Sequence, residues 1–172
     1  MSVLLGAIYN AYNISIKSMD KINFRKALLS DRPVLLEFEQ KVLAAERPYN
    51  STIKSVDAFY YDLDELLNGS KSYLLVAEVD AKLVGSGYAQ IRSSKQSLIH
   101  DFHSYLGFMY VAAEYRGRGI NKSIIERLVE WSEGQGIFDC YLDVYSENEA
   151  AIQAYKKAGF VSSMIEMKLN LK

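Results

Sequence analysis

The chain has 172 residues, 49% of them apolar, a net charge of −1 and one cysteine. That length supports one domain with a real core, and the near-neutral balance argues against a nucleic-acid polymer as partner. Cys140 has no internal partner for a disulfide, which fits a reducing compartment. No apolar run reaches the length of a membrane span, and the start of the chain lacks a basic leader. The expectation is a cytoplasmic protein that neither binds a membrane nor holds a metal. Residues 1–20 read as an N-terminal extension, loosely docked or supplying an extra strand or dimer contact, and residues 21–172 as the folded domain.

In chain order, residues 22–27 predict a first strand. Ser30, Asp31 and Pro33 signal a helix start, with a capping side chain and a proline in the first turn. Leu35, Leu36, Glu39, Val42 and Leu43 then recur at helical spacing to about Ala45. A second helix is expected from about Ser55 to Asn68, with Gly69 as a left-handed cap. Residues 73–79 and 83–91 read as partner strands joined tightly at 80–82, and Gly85 and Gly87 suggest a bulge or a close approach. Residues 92–104 read as a polar loop, 105–111 as a strand, 121–133 as a helix, 138–144 as a strand and 148–158 as a helix capped by Gly159. Period-two alternation over 164–171 predicts a last strand. Strands interleaved with helices imply an α/β (α+β) domain, one mixed sheet covered by helices.

The chemistry concentrates in residues 109–122, where an apolar strand runs through a basic glycine-rich turn into a helix. The first turn of a helix has unpaired N–H groups and partial positive charge. Glycines let backbone close on an anion, and Arg116 and Arg118 add full charge. A P-loop needs glycine directly before Lys122, where Asn121 stands. A dinucleotide loop needs a third glycine at Lys122. What remains is Arg-x-x-Gly-x-(small), from Arg116 to Asn121. Downstream, Asn148, Ala151, Ile152, Tyr155, Lys156, Gly159 and Phe160 form a second block in the order Asn-x-x-Ala-Ile-x-x-Tyr-Lys-x-x-Gly-Phe.

Together the two blocks resemble the GNAT superfamily of N-acetyltransferases, strongly over 108–160 and weakly before that from Ile22. The resemblance implies a mostly antiparallel central sheet, flanked by helices on both faces, that splays between adjacent parallel strands at 105–111 and 138–144. It implies acetyl-CoA as co-substrate and a primary amine as acceptor, a small molecule slightly favoured over a protein N-terminus, with a homodimer possible. In this reading Tyr110 and Val111 line the cofactor, Val111 offering its backbone to the pantetheine arm. Gly117, Arg118, Gly119, Ile120, Asn121 and Lys122 cradle the pyrophosphate, with Arg116 adding charge. Asn121 departs from the family pattern, which prefers glycine or alanine there. Asn148 either contacts the pantetheine arm or acceptor, or caps its helix.

Tyr155 is expected to be the general acid for the leaving thiolate, since a phenol is protonated at neutral pH. The strand at 105–111 holds no carboxylate for a base. His100, Asp101 and His103 lie just upstream, and Glu46 follows the first helix as a base or acceptor contact. A bare acetyl-CoA sensor and a user of longer acyl-CoA are the alternatives. Cys140 and Trp131 are expected to pack.

Overall fold

The computed structural model describes residues 21–171. In order these are β1 (Asn23–Lys26), α1 (Arg32–Glu46), α2 (Leu63–Asn68), β2 (Ser72–Val79), β3 (Lys82–Ser93), β4 (Phe102–Val111), α3 (Ile120–Gly134), β5 (Cys140–Tyr141) and α4 (Glu149–Lys157), with single 3-10 turns at Leu29–Asp31 and Ala113–Tyr115. The five strands form one sheet in sequence order. β1 to β4 pair antiparallel, and β5 lies parallel to β4. The expectations placed on residues 1–20 lie outside the described residues.

Both faces of the sheet are covered. On one, Leu35, Phe38 and Val42 of α1 and Leu63, Leu66 and Leu67 of α2 pack against Leu74, Val76, Phe108 and Tyr110. On the other, Ile120, Ile124, Ile125 and Leu128 of α3 pack against Leu75, Ala77, Val84 and Leu106. Tyr155 and Phe160 adjoin this second layer. The β2–β3 turn runs through Asp80 (φ 49°) and Ala81 (φ 62°). Two left-handed central residues match the twist of a tight hairpin.

Gly87 does what a glycine in a strand suggests. A Cβ there would lie 2.6 Å from Ile124 Cγ2 and 3.3 Å from Leu128 Cδ1, so its absence lets α3 settle on the sheet. Opposite it β4 bulges. Ser86 pairs with Tyr110 and Tyr88 with Gly107, so two residues of β4 oppose one of β3. Phe108 takes a positive φ of 55°, and its carbonyl accepts from the buried Ser86 Oγ at 3.1 Å. The alternation of β4 therefore changes phase at the bulge. Tyr105, Phe108 and Tyr110 face α1, while Leu106, Met109 and Val111 face α3.

Five expectations need correction. The second helix begins at Leu63, not near Ser55, and Asp62 Oδ1 caps it by accepting from Glu65 N at 3.0 Å. Asp57 has a left-handed φ of 51°, and buried Glu39 takes the amides of Tyr60 and Tyr61 at 2.6 and 2.9 Å, so residues 55–61 cannot wind. Gly69 is extended (φ −65°) rather than left-handed; the site needs its small size, since a Cβ would collide with the Glu65 carbonyl. Asp31 sits at the N-cap position of α1, but its carboxylate takes no amide of that helix: it accepts from Leu28 N, closing the preceding 3-10 turn, and from Arg25, which holds its carboxyl below the usual range. The segment read as a polar loop supplies strand at both ends, through Ser93 and from Phe102. Residues 164–171 form no strand, and Met164, Ile165, Met167, Leu169 and Leu171 are exposed. A period-two pattern becomes a strand only beside an edge that accepts its ladder, and β5 pairs over just two residues.

A cleft between parallel strands

β4 and β5 pair only at Ser104 with Cys140 and Tyr105 with Tyr141. Beyond those pairs the chains part, and a pocket fills the opening. Met109, Tyr110 and Val111 line one side, Asp143, Val144 and Tyr145 the other, with Glu46 from α1 and Asn148, Ala151 and Tyr155 from α4. The expected splay is present, while β5 is far shorter than the 138–144 strand read from sequence, because most of that stretch diverges to form a wall.

At the mouth, the turn at 116–119 leads into α3. Gly117 and Gly119 have φ of 75° and 77°, and open space lies where each Cβ would be. These glycines serve backbone shape rather than packing. Gly119 precedes Ile120, the first residue of α3, so the first-turn amides of α3 have no partner within the helix. Ile120 itself is 2% exposed and its side chain belongs to the core; only its amide can meet a ligand. Arg116 and Asn121 line the pocket, whereas Gly117, Arg118, Gly119 and Lys122 lie beside it. Arg116 Nε donates to the Val111 carbonyl at 3.1 Å, so that carbonyl already has a partner. Lys122 sits 3.7 Å from Glu126.

Tyr155 is set by the end of α4. Gly159 (φ 96°) turns the chain, Gly159 N donates to Lys156 O and Phe160 N to Tyr155 O, both at 3.0 Å. This paired capping motif brings its apolar contact with it: the Phe160 and Tyr155 rings meet edge-on at 6.1 Å. Burial pushes the Tyr155 phenol up to about 12, with the Glu46 charge adding to it. At the other end, Asn148 Oδ1 accepts from Ala151 N at 3.2 Å, so Asn148 caps α4 while also lining the pocket.

Glu46 ends α1 and is half-buried. Burial raises its carboxyl above the ordinary value, and the Tyr60 hydroxyl, donating to it, opposes the rise. Tyr60 lies 3.5 Å from the Tyr145 hydroxyl, which also accepts from Asn50 Nδ2 at 3.0 Å. The histidines considered as bases are elsewhere. His100 Nδ1 and His103 Nδ1 both meet Ser94 Oγ, at 2.8 and 2.9 Å, and His100 Nε2 reaches Tyr141 Oη at 3.2 Å. Neither they nor Asp101 line the pocket. Cys140 and Trp131 adjoin the core, Trp131 stacked on Tyr73. Sequence reasoning named neither Asp143 and Tyr145 nor Tyr60 as site residues. Asp143 sat in what read as a plain strand, Tyr145 just past its end, and Tyr60 sits in an irregular segment with no local signal.

The sheet thus opens between parallel strands beside a helix N-terminus. The sequence matches the model of the Acetyltransferase (GNAT) family over residues 39–160, and the chain belongs to that family. It is 31% identical to an acetyltransferase of Yersinia pestis over 132 residues, covering 72% of this chain and 81% of that one. Other curated relatives are matched over less of their length: 62% of an acetyltransferase of Pectobacterium atrosepticum, 35% identical over 99 residues and 56% of this chain, and 24% of an uncharacterized N-acetyltransferase of Bacillus subtilis, 38% identical over 60 residues and 35% of this chain. A predicted acetyltransferase from Clostridium acetobutylicum, solved with acetyl-CoA, shares the fold with a TM-score of 0.71 at 21% identity, over 87% of this chain and 96% of that one. Among the described residues no group of three His, Cys, Asp or Glu side chains is placed to hold a metal, and no helix is long and apolar enough to cross a membrane.

Proposed function

We propose that this protein is an acetyl-CoA-dependent N-acetyltransferase acting on the primary amine of a small molecule. One observation carries the reading: a single pocket between β4 and β5 gathers Tyr155, Glu46 and Asn148 next to the open amides of α3. The turn from Arg116 and the first turn of α3 suit a pyrophosphate, since both glycines are spared for backbone shape. Arg116 would exchange its bond to Val111 for a phosphate oxygen, freeing the Val111 carbonyl for an amide of the pantetheine arm.

In the reaction, the ammonium of the acceptor gives a proton to Glu46. The neutral nitrogen attacks the thioester carbonyl carbon, and the C–S bond breaks as the Tyr155 O–H protonates the departing sulfur. The nitrogen sheds its second proton to water as the amide forms, and water returns a proton to the Tyr155 phenolate and takes the one on Glu46. A base works best with its pKa near the working pH, and the raised Glu46 carboxyl moves that way. The two groups are also linked. The Glu46 charge helps hold the Tyr155 phenol up, so a proton arriving on Glu46 makes Tyr155 a readier donor when the thiolate forms.

The test is thiol release from acetyl-CoA against a panel of amino acids, polyamines, aminoglycosides and short peptides, with Tyr155→Phe as control. Release with one amine class is expected, with kcat falling about 10²–10⁴-fold in the variant while acetyl-CoA still binds. Binding of acetyl-CoA without release from any amine would favour a sensor and overturn the enzymatic reading. Faster release from a longer acyl-CoA would replace the donor.

A further inference from the structure

The acceptor half of the pocket carries two carboxylates, Glu46 and Asp143. Among the described residues neither Glu46 nor Asp143 makes an ion pair with lysine or arginine. Lys41 and Arg116 share the pocket lining, yet Lys41 Nζ lies over the Phe38 and Tyr110 rings, at 5.7 and 5.9 Å, and Arg116 is turned to Val111. Arg92 is also committed: its guanidinium stacks 3.7 Å over the Tyr105 ring and donates to Tyr88 Oη at 3.3 Å.

That stack has a use. It fixes Tyr105, whose hydroxyl donates to Asp143 Oδ2 at 2.7 Å. Asp143 is thereby held in place through Oδ2 by an uncharged donor. Tyr145 lines the same side of the pocket, and an aromatic ring suits a cation as well.

We infer that Asp143 is the specificity anchor of the acceptor site, and that the acceptor is a primary amine carrying a second positively charged group. This rests on the N-acetyltransferase reading. The two carboxylates divide the work because their surroundings differ. The reacting nitrogen must become neutral to attack, so it belongs with half-buried Glu46, which can take its proton. The second nitrogen reacts with nothing and stays charged, so it belongs with the exposed, phenol-held Asp143. Tyr105 and Arg92 act through Asp143 as positioning residues.

The experiment compares thiol release by the full chain with putrescine and cadaverine against butylamine and pentylamine, which match them in length but lack the second charge. The diamines are expected to have kcat/KM at least about tenfold higher, the worth of one charge-assisted hydrogen bond. Asp143→Asn lowers kcat/KM for the diamines, through KM, far more than for the monoamines, so the ratio between the two falls toward one. Tyr105→Phe keeps the ring under Arg92 and gives a smaller loss on diamines only. Equal rates for diamines and monoamines, or equal losses on both in Asp143→Asn, would overturn the inference while sparing the enzymatic reading. Should no amine react, titration calorimetry of putrescine decides the anchor by itself: binding lost in Asp143→Asn upholds it, and absence of binding to the unmodified protein overturns it.

Discussion

Glu39 is fully buried, its Oε1 accepting the amides of Tyr60 and Tyr61 while Oε2 has no hydrogen-bond partner. Replacing it with alanine strands two amides in a covered segment. A hydrogen bond to a charged group contributes about 1.5–3 kcal/mol, so two lost bonds remove roughly 3–6 kcal/mol. Against this, the variant no longer holds a carboxylate oxygen out of water unpaired, and Gln40 Nε2 still tethers the segment through Ala58 O at 3.0 Å. The net loss for Glu39→Ala is therefore about 2–4 kcal/mol, or a fall in Tm on the order of 5–15 °C for a domain of this size. Glu39→Gln keeps an acceptor for the amides and should lose about half as much. Urea unfolding at constant m-value measures both. The acceptor KM should rise too, because Tyr60 holds Glu46 and Glu39 holds Tyr60. A loss below about 1 kcal/mol in Glu39→Ala would show that this segment is anchored by something else. A large loss with an unchanged acceptor KM would break the link from Glu39 to the pocket.

Gly119→Ala meets no neighbour but must adopt a φ of 77°, which costs about 1–2 kcal/mol; thermal unfolding should show it, with weaker acetyl-CoA binding by calorimetry as the first turn of α3 shifts. Asn148→Asp keeps an oxygen for the Ala151 amide and should leave stability intact, while Asn148→Ala loses about 1 kcal/mol; a drop in kcat/KM in both variants would assign Asn148 a contact beyond its cap. Because Glu46 must be ionised to accept a proton and its pKa is raised, kcat/KM should rise with pH through a limb above the ordinary glutamate value of about 4.3, and Glu46→Gln should flatten that limb.

The parts of the fold with local causes were legible in the sequence. The α4 block shows its own start and stop, since Asn148 caps it and Gly159 turns it. The glycines of β3 read as a close approach, and Ile124 is what approaches. What escaped depended on distant partners. Nothing near Ser55 announces that Glu39, on another helix, will take the amides of Tyr60 and Tyr61. Asp143 became a candidate only when the strands parted and Tyr105 met it from across the opening. The alternation over 164–171 was a true pattern that forms no strand.

The doubled position at Phe108 works as a phase shifter along β4. Residues before it set Tyr105 on the α1 face, and residues after it set Tyr110 on that same face and Val111 on the α3 face. Because Ser86 Oγ holds the displaced carbonyl, the slip is locked at one place. On the proposed function, substitutions in the first half of the strand would retune which amine enters, with the rows proposed to meet the thioester kept in register.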